Sequence, residues 1–187
     1  MLTAFRMNWI IATLALFLSG PTLGYAQFLD KEPVNYDKLF QDGLQKGGKS
    51  LLLSGKKIGD AGVRKLIASG YLGNVEKLEL RYNDITEAGA KLLADMPPLP
   101  HLRELVLRHN FLGDSGAKTL AQSSSFPNLE ELQLGWNEIR DAGALAFSET
   151  RTLPKLKSLD LRGNFLSSET KTTLKTALVH IKLLQLY

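Results

Sequence analysis

The sequence contains no cysteine and only three histidines, at positions 101, 109 and 180. Without cysteine the chain has neither disulfide bonds nor an anchor through a lipidated cysteine, so its stability must come from packing. No Asn-X-Ser/Thr sequon occurs, so N-glycans are not expected. The sequence also lacks His-x-x-x-His and Glu-x-x-His pairs, a Gly-x-Ser-x-Gly elbow and a glycine-rich phosphate loop. We therefore predict a protein that is not an enzyme and has no metal or cofactor.

A strong charge imbalance is also missing. The 23 Lys and Arg residues exceed the 19 Asp and Glu residues by only four, and no dense basic run concentrates this excess. Nucleic acid and anionic membranes are therefore not expected as main partners. The 187 residues, of which 44% are hydrophobic, suffice for one globular or solenoid domain.

The first 26 residues are typical of a signal peptide. Arg6 gives a short positive region, Trp9 to Leu18 form an apolar run, and small residues at 24 and 26 flank Tyr25. We expect cleavage after Ala26 and a secreted or periplasmic protein. The apolar run is shorter than the roughly 20 residues of a membrane span, so no integral span is expected after cleavage. An uncleaved anchor remains the alternative.

The rest of the chain is dominated by a repeat of 27 residues. Leucines in a Leu-x-Leu pattern precede an asparagine, and an acidic residue, a glycine and an alanine follow. A constant period of this length indicates a solenoid, in which each unit buries its apolar side against its neighbours. The defining asparagines are Asn83, Asn110, Asn137 and Asn164.

Each position of the repeat has a physical reason. Leu-x-Leu alternation predicts one short strand per unit, and stacked units should pair these strands in parallel. The asparagine side chain can bond backbone groups where the chain turns. Asp60, Asp114 and Asp141, with Glu87 as a weaker substitute, suit the start of a helix. Apolar residues at i, i+3 and i+4, as in Val63, Leu66 and Ile67, then predict a helix with one buried stripe.

The two ends of the repeat region differ from its middle. Residues 27–48 lack the repeat, and an amphipathic pattern that ends at Gly47-Gly48 predicts an N-terminal helical cap. The repeat domain then covers residues 49–187, with Lys56 in the place of the first asparagine. A sixth strand is predicted around Leu184. Its edge, Leu184–Tyr187, could pair with a second copy or another protein, or could be shielded by the preceding helix.

The pattern Leu-x-x-Leu-x-Leu-x-x-Asn-x-Ile/Leu, followed by a helix, resembles that of leucine-rich repeats. A unit of about 27 residues with a true helix is most similar to the ribonuclease-inhibitor-like subclass. The resemblance implies an α/β fold, namely a right-handed leucine-rich repeat solenoid of five to six repeats with short parallel strands on its concave face and helices on its convex face. It also implies non-enzymatic protein–protein binding through the concave face, by analogy.

The side chains that point away from the core give the candidate binding site. Arginine and large aromatic residues dominate binding hot spots, and both types recur where the strands end. The candidate partner-binding residues are Arg81, Tyr82, Val106, Arg108, His109, Gln133, Trp136, Asp160 and Arg162.

Three other interpretations stay open. Glu79, Glu104, Glu131 and Asp160 could pair with the arginines across neighbouring strands and leave only a solvated face. The chain could be a structural or self-associating protein that uses the Leu184–Tyr187 edge. It could also bind an anion or a polysaccharide through its arginines and aromatic residues. The main hypothesis is an exported module that binds a protein partner.

Overall fold

The computed structural model describes residues 34–187, so the predicted signal peptide and its cleavage site lie outside the described residues. Helices alternate with short strands along the described chain. The helices are α1 (Tyr36–Gly43), α2 (Gly59–Ala68), α3 (Glu87–Asp95), α4 (Gly113–Ala121), α5 (Asp141–Leu145) and α6 (Ser168–Ala177), with 3₁₀ turns at Lys46–Gly48 and Ala146–Glu149. The strands are β1 (Leu44–Gln45), β2 (Ser50–Leu52), β3 (Lys77–Glu79), β4 (Glu104–Val106), β5 (Glu131–Gln133), β6 (Ser158–Asp160) and β7 (Leu183–Gln185).

The strands form one sheet in the order of the sequence. Strands β2 to β7 are all parallel, and the register pairs equivalent residues of successive repeats, as in Leu78 with Leu105. The predicted α/β solenoid and its sixth strand are therefore confirmed. Helices pack side by side, α3 against α4 and α4 against α5, because each crossover returns the chain to the next strand on the same side.

The start of the repeat region differs from the predicted helix that reaches Gly47. Helix α1 ends at Gly43, and the next two residues form β1, which pairs antiparallel with β2. A Cβ atom at Gly43 would lie 2.9 Å from the carbonyl oxygen of Leu52 and 2.9 Å from Leu53 Cδ2. Glycine thus allows the end of α1 to touch the sheet, and the chain then turns to extend the sheet by one strand.

The core lies between the sheet and the helices. The Leu-x-Leu residues are fully buried, as are the helix residues Val63, Ala90, Ala117 and Ala144. This confirms the predicted inward stripe, and small residues there let the helices approach the sheet closely. Each buried leucine contributes about 1.5–3 kcal/mol of hydrophobic free energy. Within residues 34–187, no helix combines the length and the apolar character that crossing a membrane requires.

The asparagines bond successive repeats to each other. Asn110 is buried, and its Nδ2 donates to the carbonyl oxygen of Leu80 in the preceding repeat at 3.0 Å. Its Oδ1 accepts from the backbone nitrogens of Asn83 and Ile85, both at 3.0 Å. Asn164 makes the equivalent bonds to Leu134, Asn137 and Ile139. The side chains therefore satisfy backbone groups that the ends of the strands leave open.

The aspartates lie at the starts of their helices as predicted, and they also make a contact that was not predicted. Each lies within the first turn of its own helix but bonds the start of the helix in the next repeat. Asp60 accepts from the Thr86 backbone nitrogen and hydroxyl at 2.9 and 2.6 Å, and Asp114 accepts from Arg140 and Gly143 nitrogens at 2.6 and 3.0 Å. The glycine of the motif makes room, because a Cβ at Gly143 would lie 2.6 Å from Asp114 Cα.

Candidate functional site

The three arginines of the predicted site (the arginine row: Arg81, Arg108 and Arg162) lie two residues beyond their strands. Because the strands stack in register, these arginines share one level of the sheet. Arg81 and Arg108 belong to adjacent repeats, and Arg162 lies two repeats beyond Arg108. Gly135 occupies the intervening position, where a side chain is absent.

Two members of the arginine row are held by carboxylates on their own strands. Arg81 donates from Nε and Nη2 to the two carboxylate oxygens of Glu79, at 2.7 and 2.6 Å. Arg162 does the same with Asp160, at 2.9 and 2.8 Å. These carboxylates therefore bond the arginines of their own strands and not, as one alternative held, those of neighbouring strands; only Asp160 also lies near an arginine of another strand, 3.9 Å from Arg108. An i, i+2 spacing in a strand puts both side chains on one face, where the fork of arginine matches a carboxylate.

These two carboxylates are buried beneath their arginines, with Glu79 3% and Asp160 2% exposed. Burial alone would raise the pKa of each carboxyl group. The hydrogen bonds from Arg81 and Arg162 outweigh it, so the pKa of both Glu79 and Asp160 is lowered. Both acids thus remain ionised at neutral pH and neutralise their arginines. Asp160 holds Arg162 in place and is itself too buried to contact a partner. Its prediction as a partner-binding residue is therefore wrong.

Arg108 has no such carboxylate, because Val106 stands where Glu79 and Asp160 stand in their repeats. The Nε atom of Arg108 is buried and has no hydrogen-bond partner among the described residues. Its closest carboxylate oxygen, Asp160 Oδ2, is 3.9 Å away on the second strand over. The guanidinium carbon lies 4.8 Å from the centre of the Trp136 ring, a cation–π distance.

Three aromatic side chains form a continuous stack beside the arginine row (the aromatic stack: Tyr82, His109 and Trp136). The Tyr82 and His109 rings are 4.2 Å apart and 11° from parallel, and those of His109 and Trp136 are 4.8 Å apart and 13° from parallel. The stacking follows from one residue per repeat at the same position, about 4.8 Å apart. The stack forms a continuous, partly apolar row of rings just beyond the ends of the strands.

The aromatic stack occupies strained backbone positions. Tyr82, His109 and Trp136 have φ angles of 55°, 55° and 56°, in the left-handed region that favours glycine. Glycine is present at this position in the flanking repeats, as Gly55 and Gly163. A Cβ at Gly163 would lie 2.4 Å from the Trp136 ring, so the indole fills that space, whereas a Cβ at Gly55 would meet nothing within 4 Å.

The environment of His109 changes its acidity. Burial between the two neighbouring rings lowers the pKa of the imidazole, and the positive charges of Arg108 and Arg81 lower it further. His109 is therefore a neutral, flat member of the stack at neutral pH. Its exposed neighbours Tyr82 and Trp136, which are 51% and 40% exposed, offer apolar area to a partner.

The remaining predicted contact residues differ in availability. Val106 is only 1% exposed and forms the floor of the face. It therefore cannot contact a partner, and its prediction as a partner-binding residue is wrong. Gln133 is half-buried, and its side-chain amide donates to Glu131 at 2.6 Å. Glu104 pairs with Lys77 on the adjacent strand at 2.6 Å, so an acidic residue of this face does pair across strands, but with a lysine.

A second aromatic row was missed by sequence reasoning. Phe111 and Phe165 are exposed and line an open groove with the aromatic stack. They lie two residues after His109 and after Gly163, so the same 27-residue period would have found them. Asp84 and Glu138 take the equivalent positions in the alternate repeats. No group of three or more potential metal ligands occurs within residues 34–187.

A family model described as Leucine Rich repeat matches residues 74–94, 99–121 and 127–148. These segments correspond to the units of β3 and α3, β4 and α4, and β5 and α5. The matched segments are leucine-rich repeats, which agrees with the predicted family; the ribonuclease-inhibitor-like subclass stays a prediction. A search of curated proteins found no match. Leucine-rich repeat domains generally mediate protein–protein interactions and are typically non-enzymatic.

Proposed function

We propose that this protein is an exported, non-enzymatic binding module that docks a protein partner on the sheet face formed by the arginine row and the aromatic stack. The observation that carries the proposal is the contact between Arg108 and Trp136. Both side chains retain exposed area, and both are held in place by neighbouring repeats. Arginine and tryptophan fixed by a rigid scaffold lose little conformational entropy on binding, which is a property of hot spots.

The neutralised arginines support binding by a protein over binding by a polyanion. Glu79 and Asp160 offset two of the three charges of the arginine row, and Glu104 offsets Lys77. A nucleic acid or an acidic polysaccharide requires unopposed positive charge along its backbone. A mixed face of this kind instead suits a protein surface with both charged and apolar groups.

The experiment is a pull-down with the chain from residue 27 to residue 187 and a double variant, Arg108→Glu with Trp136→Ala. The double variant should lose the partners that the wild-type chain recovers. A control changes an arginine away from this face, Arg64→Glu on α2, and should keep them. Recovery of the same partners by the double variant would show that this face is not the docking surface.

Export is the second part of the proposal, and it is supported by the composition of residues 1–26. N-terminal sequencing of the protein recovered from the medium or the periplasm should begin at Gln27. A recovered chain that still begins at Met1 would contradict cleavage after Ala26 and leave the uncleaved anchor as the explanation.

Self-association through the edge of the sheet is the second candidate. Among the described strands, β7 pairs with β6 alone; Leu183 within β7 and Tyr187 after it are exposed. A strand edge of this kind can pair with another chain. Light scattering at rising protein concentration tests this candidate, because a strict monomer removes it and a concentration-dependent dimer favours it.

A further inference from the structure

The aromatic stack ends differently on its two sides. Beyond Trp136 the next repeat has Gly163, and a Cβ there would lie 2.4 Å from the indole, so the Trp136 ring itself fills that position. Before Tyr82 the preceding repeat has Gly55, and a Cβ there would meet no atom of the described residues within 4 Å. The stack is therefore closed at its Trp136 end and open at its Tyr82 end.

The open end leaves one face of the Tyr82 ring uncovered. The other face lies against His109, with ring centres 4.2 Å apart. Within residues 34–187, no further ring and no cation packs against Tyr82. His109, which has a ring on each side, is half-buried, whereas Tyr82 is 51% exposed and Gly55 is exposed beside it.

The backbone at Gly55 continues the geometry of the stack. The Gly55 nitrogen donates to the carbonyl oxygen of Arg81 at 2.9 Å, as the Tyr82 nitrogen donates to that of Arg108 at 3.1 Å. Successive positions of the stack are therefore about 4.8 Å apart here as well. A flat ring above Gly55 would lie beside the Tyr82 ring within the range of about 4.5–7 Å at which aromatic pairs attract each other.

The charges beside the open position are mainly positive. Lys56 and Lys57 follow Gly55 and are exposed, and Lys57 lines the same groove as Tyr82. Neither lysine forms an ion pair within the part of the chain that the structure describes. Asp84, which takes the place of Lys57 in the next repeat, also lines the groove, but the two lysines outnumber it. An acidic group next to an incoming ring would therefore be attracted.

We propose that an aromatic side chain of the protein partner, next to an Asp or Glu in the partner's sequence, stacks on the open face of Tyr82 above Gly55. The inference rests on the proposed function and names the chemistry of the partner at one end of the docking face. The incoming ring adds a fourth member to the aromatic stack, and the adjacent carboxylate lies near Lys56 and Lys57. Burial of two flat rings against each other is a contact typical of binding hot spots.

The direct test uses blocked dipeptides and the full chain. N-acetyl-Trp-Asp-amide is titrated at constant ionic strength, and the ring resonances of Tyr82 are followed by NMR. We expect saturable upfield shifts, because a stacked indole shields the protons of the ring beneath it, and none with N-acetyl-Leu-Asp-amide. N-acetyl-Trp-Lys-amide should bind more weakly. Equal shifts with the leucine peptide would overturn the stacking, and equal affinity for the Trp-Asp and Trp-Lys peptides would overturn the acidic neighbour.

A variant within the chain provides the sharper test. Gly55→Tyr continues the stack from the chain itself, so the new ring should cover Tyr82 and exclude the ring of the partner. The φ of 68° at Gly55 is close to the 55° at which Tyr82 already holds the same side chain. We expect affinity for the Trp-Asp peptide, and for the partner recovered in pull-downs, to fall by about tenfold or more, which corresponds to about 1.4 kcal/mol. Gly55→Asn is the matched control, because asparagine tolerates this backbone conformation without supplying a ring, and it should retain binding.

The outcomes separate this inference from the proposed function. If the Arg108→Glu, Trp136→Ala double variant loses the partner while Gly55→Tyr binds it as well as Gly55→Asn does, the face is correct and the stacked ring is wrong. If the double variant keeps the partner, the proposed docking face itself is wrong and the inference falls with it. The unfolding midpoint of each variant is measured first, and Tyr82→Leu replaces Gly55→Tyr should the latter fail to fold. Tyr82→Leu should also lose affinity for the Trp-Asp peptide, and unchanged affinity would overturn the inference.

Discussion

Two ladders of side chains run along the solenoid from adjacent positions of the repeat. They differ in how much the residue type changes from one repeat to the next. The asparagine ladder repeats one residue type from Asn83 to Asn164, and all but the half-buried Asn164 lie inside. The aromatic ladder lies outside and changes at every repeat, from Gly55 through the aromatic stack to Gly163. The inner asparagines all donate to the backbone of the preceding repeat, and Asn110 and Asn164 also accept from it, whereas an outward ring only has to fit between its neighbours.

The difference separates scaffold from function. A position that satisfies several buried backbone groups cannot change without leaving some of them unpaired. A position that faces solvent carries no such demand, so its residue type is available for recognition. In this chain the outer ladder uses that freedom to place three flat rings at backbone positions where glycine would be less strained. Strain of this kind is found at functional sites.

The largest expected effect comes from breaking the inner ladder. Asn110→Ala removes the acceptor of the Asn83 and Ile85 nitrogens and the donor to the Leu80 carbonyl. We expect the free energy of unfolding to fall by about 3 kcal/mol or more, since each unsatisfied buried group costs about 1–3 kcal/mol. Urea denaturation followed by circular dichroism measures the change.

The matched control for this variant is Lys56→Ala. Lys56 holds the ladder position in the first repeat but is exposed, so its removal should change stability by less than about 0.5 kcal/mol. Similar losses for both variants would contradict the view that the buried amide bonds hold the repeats together.

The next effect concerns the two ends of the outer ladder. Gly55 and Gly163 both have a φ of 68°, so alanine at either site should cost about 1 kcal/mol in backbone strain. Gly163→Ala must also displace the Trp136 ring, which a Cβ would approach to 2.4 Å. We therefore expect Gly163→Ala to destabilise the protein more than Gly55→Ala and to move the Trp136 indole resonance. Equal effects on stability with an unmoved resonance would contradict the packing of Trp136 over Gly163.

The 27-residue period was enough to predict the strands, the parallel register and the inward stripe of each helix. It was enough because every one of these features repeats. It also predicted where Arg108 and Trp136 lie, since stacking fixes the position of each backbone. It could not predict that Glu79 pairs within its own strand, because a long side chain selects its partner by its rotamer. It also could not show that Asp60 bonds the start of the next helix, because that contact joins side chains of two different repeats.

The smallest expected effect comes from the centre of the outer ladder. The pKa of His109 is lowered in the folded state by burial and then by Arg108 and Arg81, while the unfolded chain has a histidine pKa of about 6.5. As pH falls below about 6.5, the unfolded chain therefore takes up a proton before the folded chain does, and the free energy of unfolding decreases. His109→Phe keeps a flat ring but cannot titrate, so its stability should fall less than that of the wild type between about pH 7.5 and about pH 5.5. Urea midpoints at the two pH values, together with an NMR titration of the imidazole, measure this difference. An equal fall in both proteins would mean that His109 is protonated as readily in the stack as in the unfolded chain.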